Sequence, residues 1–313
     1  MNFAAMMLVA IGLDLAFGWP AWLYARIGHP VTWIGVLIRC LDAQWNHDSS
    51  AAAGRRLAGV AAALVVVGVV AVLAYGLQWA LPAGWLGIIL GGVMAWPLVA
   101  VRSMYAHVAA VVAPLQAKDL DKARLAVSMI VGRNTAVLDE AGVARAAMES
   151  LAENTSDGIV APLFWGAILG LPGIAAYKAI NTLDSMIGHR TPRFEAFGWA
   201  SARIDDLVNL IPARLTGALF AAVSGRPKTA LKVMWRDAGL HRSPNAGWPE
   251  AAMAAGLGVR LSGPRIYAGR VAEEPWVNAG AADPTPRDLQ RGLALYARAM
   301  FLLACGLAGL ALI

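Results

Sequence analysis

Three uninterrupted apolar stretches, each long enough to cross a bilayer, constrain this chain more than any other feature. Residues 57–81 carry Gln78 as their only strongly polar side chain. Residues 83–101 follow a short link around Pro82 and Gly84, with Pro97 as an expected kink. Residues 292–313 form the third stretch, in which Arg298 can reach an interface along its aliphatic stem. A bilayer core about 30 Å thick needs roughly 20 apolar residues in helical form. Composition agrees: the chain is 58% hydrophobic and only 15% charged, whereas soluble domains are nearer a quarter charged. The expected architecture is all-α: a polytopic integral membrane protein with about four to six membrane segments and helical cytoplasmic insertions. It is read as one domain, residues 1–313.

Residues 3–19 are a shorter fourth candidate carrying Asp14, read as a retained first helix because no basic region or cleavage site marks a signal peptide. Residues 159–180 are interrupted by Pro162, Gly170, Pro172 and Gly173, and residues 206–224 open with Asp206, Asn209 and Arg214. Either segment spans or re-enters; irregular backbone at membrane depth must be covered by protein or line a cavity. Basic residues orient the chain. Residues 102–158 hold six Lys/Arg and residues 225–291 hold ten, while the 82–84 link holds none. By the positive-inside rule the polar segments face the cytoplasm, and the N-terminus and the 82–84 link face outward. The net charge of +6 then reflects topology rather than a nucleic-acid stripe. Cys40 and Cys305 have neither metal-type nor disulfide-type spacing and are expected as buried free thiols.

Helical periodicity runs from Leu120 through Val131 and from Val137 to Leu151, giving two soluble helices joined at GRNT. A helical stretch from Thr229 to Ala238 lies among Pro/Gly-rich turns. Chemistry-bearing residues gather in these polar segments. Glu149, Glu153 and Asp157 are spaced four apart in MESLAENTSDG, on one face of a helix, without an interleaved cation. They are either a seat for magnesium, which takes one or two carboxylates plus substrate phosphates, or a solvated helix end. Asn181 and Asp184 in NTLDSMIGHR, with Asp205, Asp206 and Asn209, put oxygen ligands beside apolar helices. Such groups at membrane depth are costly and point to function, the alternative being helix capping. Arg133, Arg190, Arg203 and Arg214 present forks suited to phosphate, or simply follow topology. Asp237, His241, Ser243, Asn245 and Glu250 crowd one turn-rich stretch, with His241 either structural or an acid/base. Asp14 and His29 fit a site or local capping and pairing equally well. No Walker A, GxGxxG, HExxH or GxSxG pattern is present.

Taken together and in order, GRNTAVLDEAGVARAAMESLAENTSDGIVAPLFW, AINTLDSMIGHR, FGWASARIDDLVNLIPARLTG and SPNAGWPEAAMAAGLGVRL resemble the adenosylcobinamide-phosphate synthase (CobD/CbiB) family of cobalamin biosynthesis. LDLAFGWP and GHPVTWIG resemble that family's opening motif, so the likeness covers nearly the whole chain. Trp19 and Asn134 depart from it, standing where the family often has an acid. The resemblance implies an inner-membrane, multi-pass enzyme with its active site facing the cytoplasm. It implies ATP-dependent amide formation between the free propionate of adenosylcobyric acid and (R)-1-amino-2-propanol O-phosphate or aminopropanol. ADP as product implies an acyl-phosphate, whose transfer rests on positioning, Mg2+ and cationic clamps. On that basis Glu149, Glu153, Asp157, Asp205 and Asp206 are assigned to Mg2+–ATP. Arg133, Arg190 and Arg203, with Asn154, Asn181, Asp184 and Asn245, are assigned to substrate and phosphate. Glu149, Glu153, Asp157 and His241 are assigned to catalysis. Expected partners are these substrates and the lipid bilayer, with a homo-oligomer or a complex with later pathway enzymes, and no nucleic acid. The alternatives are a signalling-type relative without synthase activity and a corrinoid-binding or transport component; a transporter would distribute polar residues through its spans.

Overall fold

The computed structural model describes residues 1–132, 134–267 and 270–313, with the backbone alone at 265–267 and 270–272. In chain order its helices are α1 (Phe3–Phe17), α2 (Ala21–Ile27), α3 (Pro30–Trp45), α4 (Ala52–Ala80), α5 (Trp85–Ala95), α6 (Val101–Gln116), α7 (Leu120–Ser128), α8 (Glu140–Thr155), α9 (Ala161–Leu169), α10 (Leu171–Ile187), α11 (Trp199–Val208), α12 (Leu210–Val223), α13 (Pro227–Asp237), α14 (Gly247–Leu257) and α15 (Pro286–Ala311). Short strands β1 (Leu261–Ser262), β2 (Arg265–Tyr267), β3 (Arg270–Ala272) and β4 (Trp276–Val277) lie between α14 and α15. β1 pairs with β4 and β2 with β3, both antiparallel.

The all-α membrane architecture is as expected. Ala52–Ala80, Trp85–Gln116 and Pro286–Ala311 are long and apolar enough to cross a membrane. Two bent pairs, α1 with α2–α3 (bent by 111°) and α11 with α12, raise the number to as many as five among the described residues. The kink expected at Pro97 is a short 3-10 turn over Trp96–Leu98, where proline removes a helical donor. Both cysteines are free, but they are exposed rather than buried. Cys305 lies on the apolar helix α15, where a small thiol suits lipid as well as it suits a core.

The chain gathers into two compact units. The first comprises Met1–Ala100, Ala161–Asn209 and Gly306–Ile313; the second comprises Val101–Val160 and Leu210–Cys305. In the first unit the interrupted segment 159–180 resolves into α9 and α10. The chain reverses at Gly170 (φ 72°), and the Trp165 carbonyl lies against Gly173. α10 runs antiparallel to α4. At one end its first amide, Leu171 N–H, donates to Gln78 Oε1 at 2.7 Å. At the other end Ile187 and Phe197 pack with Ala62, Ala63 and Val66. Gln78, the lone polar side chain of its span, therefore supplies an acceptor that a helix start in an apolar setting lacks. Gln78→Leu is expected to lower stability by about 1–2 kcal/mol, read as a lower unfolding midpoint in detergent.

α1 packs beside α5 through small residues. Met6 and Val9 press on Gly91 and Gly92, and Met1 reaches Gly87. Small residues let helix backbones approach closely. This parallel match brings the N-terminus and the 81–84 link to the same end of the unit, as their shared lack of basic residues predicts.

The second unit places α8 against α6 and α7, and α14 against α12 and α13. α7 and α8 are the two helices read from periodicity; α7 ends earlier than expected, at Ser128, and α8 is shifted along the chain, from Glu140 to Thr155. Asp139 starts α8 by accepting from Gly142 N–H at 2.8 Å. α13 begins at Pro227, which suits a first helical turn. By its sequence alone α14 reads as turns. Its Gly247 and Pro249 are turn formers, but both lie in the first turn, where proline is tolerated.

Candidate active site

α8 is an amphipathic helix turned inward along most of its length, and it carries Glu149 into the second unit at only 5% exposure. Leu261–Ser262 brings a second group to it. Ser262 N–H donates to Glu149 Oε1 at 2.8 Å, and Ser262 Oγ donates to Glu250 Oε2 at 3.0 Å. Ser262 therefore bridges two buried acids, one on α8 and one on α14. It does so with φ 59°, a left-handed conformation that is uncommon outside glycine and gathers at functional sites. Asn278, on the far side of β4, shares this conformation at φ 55°, and its Nδ2 donates to the Val259 carbonyl at 2.8 Å.

His241 completes the group. Its Nδ1 accepts from Ser243 N–H at 3.0 Å, so a neutral ring carries its proton on Nε2. That nitrogen lies 3.7 Å from Glu250 Oε1. Below these residues, Arg145 and Arg260 flank the Trp276 ring at 4.7 and 4.0 Å. Both also bind Asp283, Arg145 at 2.8 Å and Arg260 at 2.7 Å. The stack fixes β4, and through the β1–β4 pair it fixes Ser262. The bonds from Arg260 hold the Asp283 carboxyl below the usual carboxylate range.

The chain leaves α8 through a π-helical turn, Ser156–Val160. Such turns are rare and frequent at functional sites. Glu149, Glu153 and Asp157 thereby differ in setting: the first is buried, the second exposed and the third half-buried in the wider turn.

The first unit holds a separate polar cluster between α10 and α11. Tyr177 Oη donates to Asn209 Oδ1 at 2.9 Å, and Asn209 Nδ2 donates to Asp205 Oδ2 at 3.0 Å. Asp205 is 9% exposed, and its Oδ1 has no hydrogen-bond partner among the described residues. Asp184 lies against Gly188, leaving no room there for a side chain. Asp206 pairs at 3.4 Å with the exposed Arg203.

The profile of the CobD/Cbib protein family matches residues 7–296. A Rhodobacter capsulatus protein named Cobalamin biosynthesis protein CobD is 69% identical over 300 residues, covering 96% of this chain and 95% of the relative. The chain belongs to the CobD/Cbib family. Proteins of the same name from a Sinorhizobium species and from Rhizobium meliloti are 47% identical over 296 residues and 44% identical over 315 residues. They cover 92% and 98% of this chain, and 92% and 96% of their own lengths. No solved structure matches.

The other residues singled out in this CobD/Cbib protein fall in varied settings. Asn154 is exposed and donates to the Ser150 carbonyl at 2.9 Å. Asn245 is buried, and its N–H donates to Ser243 Oγ at 3.2 Å. Asn181 is half-buried and Arg190 exposed. Arg214 stacks on Trp248 at 4.2 Å. Arg133 lies outside the described residues. His29 caps α3, accepting from Val31 N–H at 3.2 Å. Trp19, a departure from the family motif, donates to the Gly28 carbonyl at 3.1 Å, and Asn134 Oδ1 accepts from Ala136 N–H at 3.0 Å within a turn. Sequence reading missed Ser262, whose role arises only from strand pairing and a positive φ. Among the described residues no group of three His, Cys, Asp or Glu side chains is placed to hold a metal ion.

Asp237 anchors this region. Arg236 binds its carboxylate at 2.6 and 2.8 Å, and Asn278 N–H donates to it at 2.8 Å. The Arg236 bond, aided by the amide, holds the carboxyl below its ordinary range against the opposing effect of burial. A depressed folded-state value means the contribution to stability is present above the unfolded value near ~3.9 and is lost as pH falls through the folded value. Asp237→Asn is therefore expected to flatten the acid side of the stability curve, measured as unfolding midpoint against pH.

Proposed function

We propose that this protein is the amide ligase that joins the free propionate of adenosylcobyric acid to (R)-1-amino-2-propanol O-phosphate, or to aminopropanol, at the expense of ATP. Membership of a cobalamin-biosynthesis family supports the pathway. The observation that carries the chemical reading is the pair of buried acids, Glu149 and Glu250, joined through Ser262 beside His241. Amide formation by an amine requires that a proton leave the nitrogen as the bond to carbon forms, and general bases of this kind contribute about 10²–10⁴ in rate. His241 already receives a backbone N–H on Nδ1 and carries its own proton on Nε2. It is thus set to donate toward Glu250, and the carboxylates are the better proton acceptors.

Transfer of the ATP γ-phosphoryl group to the propionate would give an acyl phosphate and ADP, the amine would then displace phosphate, and Mg2+ bound with the nucleotide would neutralise phosphate charge. Magnesium takes one or two protein carboxylates plus substrate phosphates, so it would enter with the nucleotide. Candidate carboxylates for that ion are Glu153 and Asp157, which follow Glu149 in the second unit, and alternatively Asp205 and Asp206 in the polar cluster of the first. Arg190 and Arg203 are exposed cations suited to phosphate. The cytoplasmic face of the inner membrane is the proposed location, on the positive-inside distribution of basic residues.

Glu149→Gln keeps the shape of the acid and an acceptor for Ser262 N–H while removing its proton affinity. Amide formation by this variant is expected to fall at least ~100-fold, with membrane insertion and unfolding midpoint retained. Glu153→Gln should likewise lose amide formation; unchanged turnover would remove that residue from the site.

A further inference from the structure

The first unit holds an open-sided cavity of ≈ 600 Å³ lined by α2, α3, α4, α5 and α10. This volume lies within the ~300–1,000 Å³ range of ligand pockets. Its walls are almost entirely carbon. Three indoles line it: Trp19 Nε1 donates to the Gly28 carbonyl at 3.1 Å and Trp33 Nε1 to the Ile27 carbonyl at 2.9 Å, while Trp96 Nε1 is itself buried and has no hydrogen-bond partner among the described residues. Water needs two to four polar partners, more than these walls supply. An empty void of this size would forfeit packing on every side.

The walls also say what fills it. Val69, Leu73 and Leu77 line the cavity and are exposed along one stripe of α4, a helix long and apolar enough to span a membrane. Val93 on α5 lines it and is likewise exposed. The cavity is therefore continuous with the surface that α4 and α5 show to the bilayer.

We propose that this cavity holds one acyl chain of a membrane glycerophospholipid. The bound lipid is a structural component of the first unit, independent of the amide-forming reading. It packs the space between the α2–α3 elbow and the α4–α5 hairpin, and it stays with the protein when the bulk membrane is removed.

The full chain, purified in detergent and stripped of loosely bound lipid, is titrated with palmitoyl-oleoyl phosphatidylglycerol and examined by native mass spectrometry. The expected result is one tightly held lipid, distinct from the weak ladder of further adducts. Ala74→Trp fills the cavity from α4 and Ala175→Phe fills it from α10. Each is expected to weaken that first adduct at least about tenfold without lowering the unfolding midpoint in detergent. Loss of the adduct in either variant that keeps its midpoint supports the assignment. No distinct first adduct in the wild-type protein, or an equal one in both filled variants, would overturn it. Displacement of the lipid by equimolar oleate would also overturn it, assigning the cavity to a free fatty acid.

Discussion

Gly59→Leu is expected to be among the most damaging single substitutions in this protein. Gly59 lies where α4 crosses the segment joining α10 to α11, and any Cβ there would collide with the backbone carbonyl of Phe197. A flexible side chain could swing aside, but a carbonyl moves only with its backbone. Gly198 closes the same crossing from the other side, against the Ile187 carbonyl. Phe197 and Ile187 are fully buried in the core formed with Ala62, Ala63 and Val66, so the backbone cannot retreat without opening that core. Overpacking of this kind costs about 3 kcal/mol even for alanine, and more for leucine. Gly68 is the matched control. It lies on the same helix with open space around it, and Gly68→Ala is expected to be neutral or stabilising by up to about 1 kcal/mol. Unfolding midpoints of the three variants in one detergent give the comparison. Equal midpoints for Gly59→Ala and Gly68→Ala would refute the close crossing.

Glu250→Ala is expected to cost both stability and turnover, and Glu250→Gln turnover alone. Glu250 is 1% exposed and receives Ser262 Oγ on one oxygen, with His241 near the other. Truncation to alanine leaves the buried Ser262 hydroxyl without its acceptor, at about 1–3 kcal/mol. Glutamine keeps an acceptor oxygen for Ser262 but cannot hold a proton. The Gln variant should thus fold with a near wild-type midpoint and lose at least ~100-fold in kcat for amide formation, with substrate KM little changed. A purely structural Glu250 would show the opposite pattern: a lowered midpoint in both variants and, once folded, normal kcat.

The membrane segments were legible because the length of an apolar run states directly what it can span. Pro97 and Gly170 also announced themselves, since a residue that cannot donate or that favours a positive φ breaks a helix whatever surrounds it. The topology vote from basic residues agrees with the shared end of the N-terminus and the 81–84 link. The second unit was harder to read. α14 was hidden by Gly247 and Pro249, which resemble turn residues until their place in the first helical turn is known. The four-residue spacing of Glu149, Glu153 and Asp157 was visible, but the π-helical turn that puts them in different settings was not. Gln78 stood out as polar, yet its task depends on a helix start 93 positions away. Ser262 left no mark at all, because its two hydrogen bonds come from backbone conformation and strand pairing. Cys40 and Cys305 are exposed where burial was expected; for Cys305 the reason is that apolar surroundings on a membrane-length helix mean exposure to lipid rather than burial in a core.

The most direct test of the account is amide formation by the purified wild-type chain in detergent. The reaction contains adenosylcobyric acid, ATP and Mg2+, with aminopropanol in one arm and its O-phosphate in the other. Mass spectrometry of the corrinoid and quantification of ADP are read together. The account predicts a corrinoid of the mass expected for the new amide, with one ADP released per amide formed. Folded protein that yields no amide with either donor would contradict the synthase reading and point to a relative of the family that lacks this chemistry.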